Sequence, residues 1–191
     1  MLAYGLAAAV VAVPSASAGL NPVVFGDTFT ISGAVPNGKA GETVQILARA
    51  YGQSKFGAIA TVTTTANGNW TFTNRPRITT TYQAVWHGKM TATITADITP
   101  RLELALHSRV LTVIARTANP LRGRSVVVQL RQKGAQWHTV RIVVLGPGSQ
   151  AKVPFTAPHG RSEIRLYIST AQAGAGYIGG LSGVLVYRNA A

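Results

Sequence analysis

The 191-residue chain contains no cysteine, which excludes a disulfide framework and thiol chemistry. Acidic residues are also scarce, because five Asp plus Glu stand against 18 Lys plus Arg, for a formal net charge of +13. No long amphipathic helical pattern is present. Instead, 20 glycines and nine prolines divide a chain that is 47% hydrophobic, which is enough apolar surface for a core built of strands and turns.

The few acids and histidines do not form a recognisable reaction centre. Glycosidic acid–base chemistry needs two carboxylates facing one cleft, and none of the five acids has a convincing partner by spacing. The four histidines are scattered, with no HxxxH or HExxH pattern, and no serine lies in a Gly-x-Ser-x-Gly elbow. We therefore predict no catalytic residue, no metal site, no cofactor and no enzymatic activity.

One glycine motif needs a separate judgement. Residues 174–179 spell GAGYIG, which fits the GxGxxG pattern of dinucleotide sites. Such a site also needs a preceding strand, a following helix and an acidic residue for the ribose, but no Asp or Glu follows Glu163. We interpret this segment as a hairpin or loop.

Apolar and polar residues alternate through most of the chain, with glycine or proline at the reversals. Phe29, Ile31 and Gly33 share one parity, as expected for a half-buried strand. Asn67-Gly68 supplies a turn pair that tolerates positive φ. Seven short strands between residues 21 and 100 predict a β-sandwich.

The same plan returns after about 81 to 84 residues. Val128-Gln129-Leu130 repeats Val44-Gln45-Ile46, and Trp137 stands where Phe56 does. This internal repeat predicts an all-β fold of two tandem Ig-like or fibronectin-III-like β-sandwiches, spanning residues 19–99 and 100–191.

Residues 1–18, MLAYGLAAAVVAVPSASA, read as a signal peptide. The apolar run is too short to span a bilayer comfortably, Pro14 breaks it, and Ala16-Ser17-Ala18 fits a small-x-small cleavage site. No Lys or Arg precedes the run, and the alternative is a buried first helix or strand. The expectation is an extracellular or envelope-associated protein without a transmembrane span after cleavage.

Four segments of the first repeat carry a family resemblance. They are TISGAV (30–35), TVQI (43–46), ANGNWTF (66–72) and TTTY (79–82). They resemble the Ig-like repeat domains of secreted actinobacterial proteins, well over residues 28–98 and loosely over 108–188. The resemblance implies an exported sandwich used as a spacer, stalk or adhesion module, and it transfers no functional residue.

The positive charge is concentrated in the second repeat. Residues 19–99 carry six basic and three acidic residues, whereas residues 100–191 carry twelve and two. Strand parity there predicts that one exposed face collects guanidinium, phenol and amide groups. The predicted face consists of Gln129, Arg131, Arg165, Tyr167 and Tyr187.

Guanidinium groups beside phenol rings suit an acidic polysaccharide or another anionic cell-surface polymer. The expected function is therefore a non-enzymatic structural or adhesion module held on such a polymer. Two alternatives stay open: an exported nucleic-acid binder, although no familiar nucleic-acid motif is present, and a non-catalytic accessory subunit of a secreted enzyme. The interpretation without a ligand is that this face is a solvated surface whose arginines protect a sheet edge from aggregation.

Overall fold

A computed structural model of the chain describes residues 14–19, 21–132 and 134–189. Nearly all of the regular structure is β-strand, which confirms the predicted all-β class. The apolar part of the predicted signal segment, residues 1–13, lies outside the described residues. No helix in the described part is long and apolar enough to cross a membrane.

The first sandwich packs a three-stranded sheet against a larger one. Its strands in chain order are β1 (Ser15–Ala18), β2 (Val23–Val24), β3 (Phe29–Ala34), β4 (Thr43–Ala50), β5 (Gly57–Thr63), β6 (Asn69–Asn74), β7 (Thr80–Trp86), β8 (Lys89–Met90), β9 (Ile94–Ala96) and β10 (Ile98–Thr99). One sheet has the order β1-β3-β6, and the other has the order β5-β4-β7 with β8 and β9 on the far side of β7. A short parallel pair joins β2 to β10.

The second sandwich repeats this arrangement. Its elements are β11 (Arg101–His107), β12 (Val110–Arg116), β13 (Ser125–Gln132), β14 (His138–Val144), β15 (Gln150–Pro154), β16 (Gly160–Ile168), α1 (Thr170–Ala173), β17 (Gly180–Leu181) and β18 (Leu185–Asn189). One sheet is β11-β12-β15, and the other is β14-β13-β16 with β17 and β18 on β16. The first set of strands ends at Thr99 and the second begins at Arg101. The domain boundary between residues 99 and 100 stays a prediction.

Alternation places the large side chains inside. Tyr82, Ala84 and Trp86 are buried together on β7, as their shared parity predicts, and Trp70 is buried on β6. Phe29 stacks on Tyr82 with ring centroids 5.8 Å apart. Phe29, Trp70, Tyr82 and Trp86 therefore form the aromatic part of this core, where each stabilises by about 2–3 kcal/mol.

Local irregularities recur at the same places in both sandwiches. A bulge lies between Ile46 and Leu47 on β4, and another lies between Val128 and Gln129 on β13, 82 residues later. The predicted turn at Asn67-Gly68 has positive φ at both residues, and Gly148-Ser149 does the same 81 residues later. Since bulges and turns of positive φ depend on specific backbone geometry, the repeat extends to the backbone. The bulges align Val128 with Ile46, so the sequence alignment of Val128 with Val44 is wrong by two residues, a shift that preserves the alternation.

The predicted cleavage site falls within an ordered strand. Ser15–Ala18 forms β1, which pairs antiparallel with β3 from Ser15↔Ala34 to Ala18↔Ile31. Cleavage after Ala18 would therefore remove one edge strand of the first sandwich. The boundary at residue 18 stays a prediction.

The GAGYIG segment lies at the junction of the two sandwiches. Tyr177 is buried there; its hydroxyl donates to Arg77 O at 2.6 Å and accepts from Ala118 N at 2.9 Å. On either side of it, Thr79 N donates to Gly176 O and Ile178 N donates to Ile98 O, both at 2.9 Å. This segment is a loop, as its context predicts, and it joins the domains.

Candidate binding face

The outer face of the second large sheet is set by the alternation along β16. Ser162, Ile164, Leu166 and Ile168 are buried, so the residues between them point to the other side of the sheet. That side carries Arg161, Glu163, Arg165 and Tyr167.

The pairing with β13 brings the predicted polar residues together. Gln129 lies opposite Arg165, and Arg131 lies opposite Glu163. Arg165 Nε donates to Gln129 Oε1 at 2.8 Å, and Arg131 Nε donates to Glu163 Oε2 at 2.7 Å. Gln129, Arg131, Arg165 and Tyr167 thus share one face, although their role in binding stays a prediction.

The fifth predicted residue, Tyr187, lies on the opposite face. β18 pairs with β16 so that Tyr187 faces the buried Ser162, and Tyr187 packs with Leu185 against the core. The outward residues are instead Val186, which is 49% exposed, and Arg188. The parity prediction failed here because residues 184–187 are apolar at every position, so that the sequence gives no alternation to choose a face.

Trp137 completes the cluster. Its ring lies under two guanidinium groups: Arg165 Cζ is 4.1 Å and Arg131 Cζ is 4.6 Å from the ring centroid. Each such contact is worth about 0.5–1 kcal/mol at an exposed site. We call the whole set the basic face, which comprises Gln129, Arg131, Trp137, Arg161, Glu163, Arg165, Tyr167 and Arg188.

The basic face holds four arginines and one carboxylate. Glu163 pairs with Arg131 at 2.7 Å and with Arg161 at 3.4 Å. The second acid of this half, Glu103, is paired with Arg116 on β12, in the opposite sheet. Among the described residues, the side-chain hydrogen bonds of Arg131 and Arg165 use their Nε atoms, which leaves the Nη nitrogens to solvent or to an anion.

The corresponding face of the first sandwich keeps only part of this cluster. Arg49 stacks over Phe56 at 4.9 Å, as Arg131 does over Trp137. The residue opposite Arg49 is Thr81, and the next outward residue on β7 is Gln83 where the second sandwich has Arg165. The difference in net charge between the two repeats is therefore visible within one homologous face.

Four members of the basic face are not among the residues that the sequence predicts. Glu163 has the parity of Arg165 and lies within the predicted strand, but the prediction named only arginine, tyrosine and glutamine on this face. Arg161 shares the parity of Arg165 and could have been found by extending that strand to Gly160. Trp137 precedes β14, and its position over β13 depends on the connection between the strands, which alternation does not describe. Arg188 was missed with the wrong parity of β18.

Other titratable groups are engaged in structural contacts. Glu42 accepts hydrogen bonds from Asn37, Trp86 and His87, and these bonds lower its pKa from 4.5 to about 2, with His87 the largest cause. A carboxylate held ionised in this way is poorly suited to general acid catalysis. Within the described residues, no three His, Asp or Glu side chains are grouped so that they could hold a metal ion.

No protein-family model and no curated protein matches the sequence. Among solved structures, the chain is similar to the chicken interferon gamma receptor alpha chain, with 10% identity, a TM-score of 0.48, and 93% of this chain and 98% of that chain covered. It is also similar to the FN1–FN3 domains of chicken CNTN1, with 14% identity, a TM-score of 0.31, and coverage of 93% and 68%. At such identities a likeness concerns the fold alone. The strand order of each sandwich is that of the Ig-like and fibronectin-III-like class.

Proposed function

We propose that this protein is an exported, non-enzymatic module of the cell envelope or extracellular space. In this proposal, the second sandwich holds an anionic polymer, such as an acidic polysaccharide, through the basic face. The observation that carries the proposal is the basic face itself, on which four arginines share one carboxylate and two of them, Arg131 and Arg165, stack on Trp137.

Stacking on Trp137 and bonds to neighbouring side chains restrain Arg131 and Arg165 before any ligand arrives. A restrained planar guanidinium loses less conformational entropy when it binds a carboxylate, sulfate or phosphate than a free lysine does. Each basic group near an anionic surface contributes on the order of 1 kcal/mol, and salt weakens it. Several together support reversible retention without a lipid anchor.

The same stacking favours an acidic polysaccharide over single-stranded nucleic acid as the partner. Binding of single strands commonly uses aromatic rings as platforms for bases. Two guanidinium groups already lie over the Trp137 ring, so a base would have to displace them.

Salt-dependent retention of the full chain on heparin tests the proposal. The double variant R165Q/R188Q removes two charges from the basic face. The matched control R109Q/K152Q removes two charges from the opposite side of the same sandwich, where Arg109 and Lys152 are both exposed. We expect the first variant to elute at clearly lower salt and the control to elute near the wild type. An equal loss in both variants would show that net charge, and not the basic face, governs retention.

A further inference from the structure

The strand β14 forms one border of the second large sheet. It pairs with β13 alone among the described residues, so its outer backbone groups face away from the sheet. Six of its seven residues are exposed, including Ile142 at 64% and Val144 at 60%. Border strands are usually protected by charges, proline or bulges. On β14 this protection consists of Arg141 and the bulge at Val140, and the exposed residues beyond them, Ile142 and Val144, are apolar and β-branched.

A groove of about 370 Å³ runs beside this strand. Its apolar lining comes from Leu130, Val140, Phe155 and Pro158. Arg141 lies at the groove and donates a hydrogen bond to Pro154 O, which connects β14 to the end of β15. Backbone groups without a strand partner therefore lie beside a groove that combines apolar side chains with His138, Thr156 and the cationic Arg141.

We propose that β14 and this groove dock an extended acidic peptide segment of another protein, which adds a strand to the sheet. In strand addition, main-chain hydrogen bonds supply affinity, and pockets for alternate side chains supply specificity. Here one set of peptide side chains covers Ile142 and Val144, and the other set enters the groove beside Arg141.

The backbone of β14 is regular enough to pair with an added strand over a few residues. Val140 is the extra residue of the bulge, and residues 141–144 follow it in regular pairing with β13, from Val128↔Arg141 to Ser125↔Val144. An added strand can therefore pair with these four residues in an ordinary antiparallel or parallel ladder.

Charge selects an acidic peptide over a second copy of this chain. Each copy carries a net charge of +13, so two copies repel at moderate ionic strength. An acidic side chain in the groove can pair with Arg141. Residues 100–191 carry twelve basic and two acidic residues, and this surplus of positive charge steers an acidic segment toward the second sandwich.

Two fluorescein-labelled octapeptides of equal composition provide the probe. One alternates Val and Glu through its length, and the other has four Val followed by four Glu. Both carry the same total charge, so net charge alone does not favour the alternating peptide. We expect the full chain to bind the alternating peptide at least about tenfold more tightly, with amide NMR shifts centred on residues 138–144.

Substitution I142N removes the apolar contact at this exposed position without changing the charge, and we expect it to weaken binding of the alternating peptide by at least about tenfold. The control I59N alters a 46% exposed isoleucine on β5, the equivalent strand of the first sandwich, and should leave binding unchanged. Equal affinity for both peptides, no detectable binding, or insensitivity to I142N would overturn the proposal. A concentration-dependent dimer in sedimentation that I142N abolishes would also overturn it, in favour of a second copy.

Discussion

The carboxylate of Glu42 links three segments at one end of the first sandwich by hydrogen bonds. Its two carboxylate oxygens accept from Asn37 Nδ2 at 2.9 Å and from Trp86 Nε1 at 3.1 Å, and Oε2 also lies 2.9 Å from His87 Nε2. These groups come from the connection before β4, from β7 and from the turn after it. The bonds favour the ionised form, which holds the pKa of Glu42 at about 2.

This pKa predicts an acid dependence of stability. From pH 4.5 down to about 2, the unfolded chain binds a proton at Glu42 that the folded chain does not, so the stabilising contribution of Glu42 falls with pH. We expect E42Q to lose this part of the pH dependence, with a smaller difference from wild type at pH 2 than at pH 6. Urea unfolding across this range, followed by circular dichroism, measures it.

The variant N37A removes one of the three hydrogen bonds and should give an intermediate profile. A wild-type acid profile retained in E42Q would show that these bonds do not stabilise the ionised form.

The sequence determines which side of a sheet each side chain occupies where apolar and polar residues alternate strictly. On β16, Ile164, Leu166 and Ile168 alternate with Arg165 and Tyr167, and these five residues face as the sequence predicts. Residues 184–187 are uniformly apolar, and only the pairing of Tyr187 with Ser162 decides which side faces the core. Trp137 is a third case, since its contacts with Arg131 and Arg165 depend on where a connection crosses the sheet.

At the scale of elements, the turn before β6 packs closely against Val35, and Gly68 makes this close contact possible. Its φ is +71°, and a Cβ there would lie 2.8 Å from Val35 Cγ2 and 2.9 Å from Val35 O. Gly38 has a similar φ of +63°, but nothing lies within 4 Å of its added Cβ. A substitution at Gly38 therefore introduces backbone strain alone, whereas one at Gly68 introduces backbone strain and steric overlap.

We expect G38A to destabilise the protein by about 1–2 kcal/mol, the effect of left-handed backbone strain alone. In G68A, overlap with Val35 adds about 1–3 kcal/mol. Denaturant unfolding of both variants gives the comparison. Equal destabilisation would show that the turn shifts to accommodate the methyl group, and that Val35 does not hold it in place.

Most strands were predictable because each is bounded by turn residues and has a clear period of two. β11 was missed although RLELALH alternates well. Its counterpart in the first sandwich, β1, has only four residues and lies in a stretch that reads as a signal peptide, so the repeat offered no template for it. The short β17 and α1 were missed because neither is long enough to show a period.

At the scale of the whole molecule, the loop from Gly174 to Gly179 determines how the sandwiches are joined. No composition or spacing rule marks it as an interdomain contact, since its partners Arg77 and Thr79 lie about 100 residues earlier in the chain. A Cβ on Gly176 would lie 2.4 Å from Ile78 Cγ1, so the close approach of the two domains requires glycine at this position.

The hydroxyl of Tyr177 is the polar centre of this junction, and burial raises its pKa, so it stays a neutral donor at physiological pH. Y177F would remove the bond to Arg77 O and leave Ala118 N without its acceptor, which is expected to destabilise the junction by about 1–3 kcal/mol. We expect thermal unfolding to separate into two steps and small-angle scattering to report a broader range of interdomain distances. Y167F, at a 38% exposed tyrosine on the outer face of β16, is the matched control and should behave as wild type. If scattering and unfolding of Y177F match those of Y167F, the backbone bonds of Gly176 and Ile178 hold the sandwiches together without the phenol.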